Sequence, residues 1–304
     1  MLRKADALVM TQITLDELNR LERNAFVAEL GGIYEHAPWV AETVQAGRPF
    51  PSLNALHQAM TRTVREAGQA RQCALIRGHP DLAGRAARAG AITADSKHEQ
   101  ASAGLDRLTD AEFAAFHRLN DAYRAKFGMP FIICVRRHGK ESILRLFEQR
   151  LRNDVAAERD TALAEIFRIA SLRLDERVAA PDRLPVHGQL STHVLDTHGG
   201  SPASGLAIEL HQVEDSEKTR LLSRAITNQD GRTDRPLLAN QPVPIARYEL
   251  RFDIGGYFAR EGVTTADPPF LGIVPIRFAV AEPEAHYHVP LLVTPFSYVT
   301  YRGR

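Results

Sequence analysis

Hydrophobic positions recur every three or four residues through the first half of the chain and every second residue through its last third. Between about Thr14 and Val178 the spacing of Leu15, Leu18 and Leu21, continued by Ala25 and Phe26, is that of amphipathic helices, so this region is expected to be nearly all helix. Thr14 with Glu17 and Thr109 with Glu112 read as capping boxes, the second just ahead of Phe113, Phe116 and Leu119. Loops are expected at residues 49–52 and 78–90. From Ser142 to Arg177 the apolar series Ile143, Leu146, Phe147, Leu151, Leu163, Ile166, Ile169, Ala170 and Leu174 predicts one or two closing helices. Residues 179–189, AAPDRLPVHGQ, interrupt that period with two prolines and a glycine and are expected to be a linker. Beyond them come short β-branched and aromatic runs at 190–195, 205–212, 247–254 and 273–280. Two terminal strands follow between His286 and Tyr301, hinged near Thr294 to Ser297. Gly199-Gly200-Ser201-Pro202 and Asp230-Gly231 supply turns, and a short helix is expected at 257–261. The pattern predicts a multidomain chain: an all-α domain over 1–178, the linker, and an all-β sandwich over 190–304.

Composition narrows the setting. A chain of 304 residues, 44% hydrophobic and 25% charged, has the make-up of a soluble globular protein with room for two domains. Its formal net charge of +1, with basic residues spread and matched by acids, gives no footprint for nucleic acid. Cys73 and Cys134 stand far apart and outside any Cys-x-x-Cys spacing, which suggests neither a disulfide framework nor a thiolate metal site and fits a reducing cytoplasm. Arg3 and Lys4 are not followed by an apolar run, and no stretch approaches a membrane span, so neither secretion nor a membrane partner is expected.

In the strand-rich part, period two puts His286 and His288 on one strand face. His193 lies in LSTHVLD, Arg232 follows the Asp230-Gly231 turn, and Tyr301-Arg302 stand near the end of the sequence. Each also has an ordinary reading: a surface histidine, an exposed turn arginine, or a His-x-His zinc chelate that would need a third ligand. Taken in order, LSTHVLDTHGGSPA, TNQDGRTDRPLL, YELRFDIGGYFA, PPFLGIVPIRF and HYHVPLLVTPFSYVTYRG resemble the 5-hydroxyisourate hydrolases, the transthyretin-related enzymes of purine catabolism, across residues 190–304. The resemblance implies a transthyretin-like β-sandwich that assembles as a homotetramer with active sites in the channel between dimers. It places the catalytic groups on His193, Arg232, His288 and Tyr301, with His286, Arg302 and Gly303 as substrate contacts. Where that family carries serine after the last glycine, this chain has Arg304. The chemistry is ring opening of a cyclic acyl-urea by water. One neutral imidazole can take a proton from water, a second can orient the water or protonate the leaving nitrogen, and a guanidinium can steady the oxyanion, with no metal or cofactor required.

In the helical part the informative stretches are YEHAPWVA, IRGHPDLAG, DSKHEQASAGLD, LNDAYRAKFGMPFIICV and IFRIASLRL. Locally, Ser96 with Glu99 reads as a capping box, His79 as a loop histidine and Arg173 as a cation near a helix C-terminus. Together the stretches resemble the 2-oxo-4-hydroxy-4-carboxy-5-ureidoimidazoline (OHCU) decarboxylases from about Leu15 to Arg177. That resemblance implies a catalytic His79 and substrate contacts at Pro80, Ser96, Glu99, Ile132, Ile133 and Arg173, with Arg168 and Arg177 as neighbouring candidates for the arginine. No cofactor is implied, because the substrate's own conjugated ring can accept the electrons left by carbon dioxide. The two resemblances join into one expectation, a bifunctional enzyme of urate degradation that hydrolyses 5-hydroxyisourate to OHCU and decarboxylates OHCU to (S)-allantoin. The alternatives are a transthyretin-like carrier of small ligands and a helical module that serves only oligomerisation.

Overall fold

A computed structural model describes residues 12–84 and 92–303; part of the expected 78–90 loop, the Arg3-Lys4 pair and Arg304 lie outside them. The chain divides into two compact units, Met1–Cys134 with Leu146–Val186, and Val135–Arg145 with His187–Arg304.

The first unit is helical. Its described helices are α1 (Leu15–Arg20), α2 (Arg23–Leu30), α3 (Trp39–Val44), α4 (Leu53–Glu66), α5 (Gly68–Arg77), α6 (Ala94–Ser102), α7 (Asp110–Phe127), the later half of α8 (Lys140–Arg150) and α9 (Val155–Arg177). Both expected capping boxes form, Thr14 with Glu17 on α1 and Thr109 with Glu112 on α7. On α4, Leu53, Leu56, Met60 and Val64 share the buried face, as three-and-four spacing requires. The closing run resolves into two helices because Asn153-Asp154 interrupts it, with the Asp154 carboxylate capping α9 at the Ala157 N–H (2.8 Å).

One local reading is corrected here. Ser96-x-x-Glu99 is not a capping box: the N-cap of α6 is Thr93, and Ser96 is already inside the first turn, its N–H donating to the Thr93 hydroxyl at 3.3 Å. The region is nearly all helix, as expected, with the short strands β1 (Ile13–Thr14) and β2 (Val178–Ala179) pairing in parallel at its ends, Ile13 opposite Val178. Beyond β2 the chain stays on this unit. Asp182 accepts from the N–H groups of Leu53 and Asn54 at the start of α4 (3.1 and 3.3 Å), and Leu184 donates to Asp175 (2.8 Å).

The second unit is a β-sandwich. One sheet runs β11 (Tyr298–Thr300), β10 (His286–Val293), β3 (Gly188–Asp196), β4 (Ser201–Pro202), with β7 (Leu238–Gln241) also on β3. The other runs β6 (Thr219–Ile226), β5 (Ala207–Val213), β8 (Ala246–Asp253), β9 (Ile273–Val280). Leu190, Val194, Tyr287, Val289 and Leu291 from the first sheet meet Ile208, Leu210, Leu250, Phe252 and Val274 from the second in one core. A short helix, α10 (Ile254–Arg260), follows β8 and is capped by Asp253. The expected terminal hairpin forms, with Leu292 opposite Val299. β6 escaped the sequence reading because TRLLSRAI, at a sheet edge, has no clean alternation and is half-buried or exposed along its length.

Candidate active sites

In the helical unit a buried ionic centre forms around Arg173, on α9. Its Nε and Nη2 donate to the two Glu99 carboxylate oxygens (2.7 and 2.9 Å), and its Nη1 donates to Glu35 Oε2 at 2.8 Å. The other Glu35 oxygen accepts from the hydroxyls of Thr93 (2.7 Å) and Ser96 (3.1 Å). Glu35 and Arg173 are only 3% and 6% exposed. Of the three arginines considered, Arg173 is the one in this centre; Arg168 pairs with Glu165, and Arg177 with Glu29 at 2.7 Å. Glu35 went unremarked although it lies in YEHAPWVA; the available signal was an acid among residues that turn out buried, Ile33, Tyr34, Ala37 and Val40.

His79 follows α5, 7% exposed, with Nδ1 at 3.0 Å from the Leu75 carbonyl. A carbonyl can only accept, so Nδ1 carries the hydrogen in the neutral ring and Nε2 keeps its lone pair. Burial pushes the imidazole down to about 4, against the opposing pull of the Leu75 carbonyl and the nearby Glu35 charge, so the ring is neutral near pH 7. Glu35 shows the reverse balance: burial drives its carboxyl up, but Arg173 and the Thr93 hydroxyl bring it below the usual range. Burial keeps Glu99 above that range despite Arg173.

Pro80 is half-buried beside His79, and Ile132 and Ile133 are buried at 3% and 2%. The backbone of this extended segment is pinned from below. Arg150 donates to the Ile132 carbonyl (2.7 Å), and the Cys134 N–H donates to Glu165 (2.8 Å). Arg150 in turn pairs with Glu158, which is fully buried and also bonded by Tyr123 and Asn153. Glu158, Glu165 and Arg173 are seven and eight residues apart, which is two turns each, so one face of α9 supports the segment and carries the ionic centre.

In the β unit the candidate residues gather on the outer face of the first sheet. Alternation sends Leu190, Thr192 and Val194 inward and Ser191 and His193 outward on β3, while Tyr287 and Val289 point inward and His286 and His288 outward on β10. Because β3 and β10 pair in parallel, Ser191 lies opposite His288. The Ser191 hydroxyl bonds His286 Nε2 (2.7 Å) and His288 Nδ1 (2.9 Å), bridging the two rings. Sequence reasoning passed over Ser191; its position two residues before His193 on the same face was the signal.

Arg232 reaches the site through a turn. Val194 donates to the Gly231 carbonyl (2.8 Å), Asn228 donates to the Arg232 carbonyl (2.7 Å), and His193 and Arg232 form an antiparallel bridge. Gly231 has φ of +70°, and a Cβ there would fall 2.2 Å from the Val194 carbonyl oxygen. Gly231→Ala is therefore expected to cost the β unit about 2 kcal/mol or more, from the left-handed strain and the lost docking bond, readable as a lower melting temperature. Gly303 is held similarly: its N–H donates to the His288 carbonyl (2.8 Å), and an added Cβ would stand 2.7 Å from His288 Cδ2.

His193 bonds the Asp230 backbone, while its Nε2 is buried without a hydrogen-bond partner. Burial, then the Arg232 charge, lowers the His193 pKa below 6.5. Burial, followed by Arg232, His286 and His193, does the same for His288. Tyr301 is 58% exposed, and Arg302 turns to Glu282 (3.2 Å) over the Tyr287 ring. Among the described residues no group of three or more His, Cys, Asp or Glu side chains is arranged to hold a metal ion, and no helix is long and apolar enough to cross a membrane.

Neutral imidazoles beside fixed charges, one set in an all-α unit and one on a β-sandwich, mark a two-domain protein with a separate candidate site in each domain. The chain belongs to the OHCU decarboxylase family through residues 19–175 and to the HIUase/Transthyretin family through residues 190–303. It is 43% identical to the 2-oxo-4-hydroxy-4-carboxy-5-ureidoimidazoline decarboxylase of Halalkalicoccus jeotgali over 57% of this chain and 96% of that one. It is 48% identical to the 5-hydroxyisourate hydrolase of Halalkalibacterium halodurans over 38% of this chain and 98% of that one. A crystal structure of (S)-allantoin synthase matches 96% of this chain and 100% of its own, at 34% identity and a TM-score of 0.52.

Proposed function

We propose that this chain is a bifunctional enzyme of urate degradation that hydrolyses 5-hydroxyisourate to OHCU and decarboxylates OHCU to (S)-allantoin. The observation that carries this reading is the joining of both families in one chain, with similarity to (S)-allantoin synthase across nearly all of it. A carrier would be expected to line its ligand channel with apolar groups, whereas the outer face here bears His193, Arg232 and His288.

For the hydrolase step, His193 accepts a proton from water at its unpartnered Nε2 as the oxygen attacks the ring carbonyl. Arg232 steadies the oxyanion, and as the carbon–nitrogen bond opens the leaving nitrogen takes the proton that His193 gained, while His288, fixed through Ser191 beside His286, orients the attacking water. For the decarboxylase step, the carbon–carbon bond to the carboxylate breaks and its electrons enter the conjugated ring. His79 takes the 4-hydroxyl proton at Nε2 as that carbon becomes a carbonyl and delivers it to one face of the adjacent, ureido-bearing carbon, which fixes the product's hand, while the ring nitrogen that received the electrons takes a proton from solvent. The Glu99 carboxylate, held in plane by Arg173, accepts from the ureido N–H groups. Arg173 thus acts through Glu99, since its Nε–Nη2 edge is already occupied. The β unit assembles as a homotetramer, supported by exposed Tyr298, Val299 and Tyr301 beside the site, and the enzyme works in the cytoplasm, in keeping with its free Cys73 and Cys134.

Ultraviolet and circular-dichroism monitoring of freshly generated 5-hydroxyisourate tests both steps: fast decay to optically active (S)-allantoin is expected, and a racemic product or arrest at OHCU would overturn the second activity. Hydrolysis should also report its histidines. Because both stay neutral until the pH drops below 6.5, kcat/KM should be flat near neutrality and fall only below that value. Arg232→Gln removes a charge that opposes protonation, so the midpoint should move up as the rate drops.

A further inference from the structure

We infer that Glu35 is a positioning residue of the decarboxylase centre, fixing both the Arg173 guanidinium and the Ser96 hydroxyl through one buried carboxylate. The inference rests on the decarboxylase reading above and adds to it a residue that reading does not need.

Glu35 comes from the segment after α2, 64 residues before Glu99 and 138 before Arg173 in sequence, yet it closes the network between them. Its two oxygens divide the work. Oε2 takes Arg173 Nη1 at 2.8 Å, the one guanidinium corner that Glu99 leaves, so the guanidinium is held on both sides and cannot rotate about its terminal bonds. Oε1 takes the Ser96 and Thr93 hydroxyls at 3.1 and 2.7 Å, which fixes the first turn of α6, the helix that also carries Glu99. Two members of the substrate site are therefore oriented by a residue that offers them acceptors only. A neutral carboxamide has the same shape but one acceptor oxygen, and its NH2 group would face either the guanidinium or the hydroxyls.

A group this buried with a structural role alone would act on stability. Glu35 also changes the charge count of the centre: with Glu99 and Arg173 it gives two negative charges against one positive. Around the His79 ring stand Glu35 and His36 from one segment and Arg173 from α9, so loss of the Glu35 charge leaves the imidazole facing a less negative surrounding.

The test uses the full chain carrying Glu35→Gln, assayed for both reactions, with hydrolysis of 5-hydroxyisourate as the internal measure of folded enzyme. The expected result is a tenfold or greater fall in kcat for OHCU decarboxylation, KM within threefold of wild type and hydrolysis unchanged. Arg173→Lys and the double variant complete a cycle: because Glu35 acts in part through Arg173 and in part through Ser96, adding Glu35→Gln to Arg173→Lys should reduce decarboxylation by less than it does in the wild type. Wild-type decarboxylation with a fully active Glu35→Gln variant would overturn the inference while leaving the proposed function standing. So would a variant whose melting temperature drops but whose kcat per folded molecule is normal, or a cycle in which the two losses multiply. A wild-type chain that hydrolyses but never decarboxylates would instead refute the proposed function itself.

Discussion

His79→Asn is expected to abolish decarboxylation, lowering kcat/KM for OHCU by about 10² to 10⁴, while 5-hydroxyisourate hydrolysis proceeds at the wild-type rate. The asymmetry follows from the location of the ring. His79 is buried in the helical unit, tied at Nδ1 to Leu75 and neutral near pH 7, and its only unbonded ring nitrogen is available to move a proton. Asparagine fits the space and can keep a bond to the Leu75 carbonyl, but it cannot exchange a proton near neutrality. Circular dichroism of the reaction would then show OHCU accumulating and decaying at its uncatalysed rate, without excess of one enantiomer. Equal loss of both activities would refute the division of labour between the two units.

Arg173→Met should destabilise the helical unit by about 3 to 5 kcal/mol at pH 7, the range for removing one partner of a buried ion pair. The guanidinium bonds both Glu35 and Glu99, and without it Glu35 keeps the Thr93 and Ser96 hydroxyls as its described donors while Glu99 loses both of its arginine bonds. The pH dependence should shift as well, because in the wild type Glu35 and Glu99 oppose one another: Glu99 already titrates above its unfolded value and favours acid. In the wild type, Glu35 titrates below its unfolded value, so its stabilisation is present near neutrality and is lost as the pH falls through the folded pKa. In the variant both carboxylates titrate above their unfolded values, so stability is greatest at low pH and is lost as pH rises. Urea melts of the 222 nm signal at pH 5 and pH 7 would detect the shift, with the variant losing more stability than the wild type between the two; a variant with the wild-type difference would show the carboxylates are not coupled through Arg173.

The two halves were legible to different depths. Helices announced by three-and-four spacing and by Thr-x-x-Glu signals formed where expected, and so did the strands whose inward residues alternate cleanly, such as β3 and β10. β6 lacked that signal because its residues at the sheet edge bury neither face fully. Ser96-x-x-Glu99 carried a misleading local signal, since Thr93 three residues earlier competes for the same cap and wins, leaving Ser96 free to turn to Glu35.

The sequence by itself determined the two-domain order, the core faces and the residue types available for chemistry, because periodicity and capping are properties of neighbours along the chain. Motif order also singled out His79, His193, Arg232 and His288. Tertiary structure alone decided which charges meet. It selected Arg173 over Arg168 and Arg177, brought in Glu35 from 138 residues away in sequence, and set Ser191 between His286 and His288 through the register of two strands 95 residues apart. It also turned the Arg173 edge toward Glu99 instead of leaving it open. The physical reason is common to all of these: a buried charge must find its counter-charge wherever packing allows, and that distance is measured in space, where sequence separation carries no information.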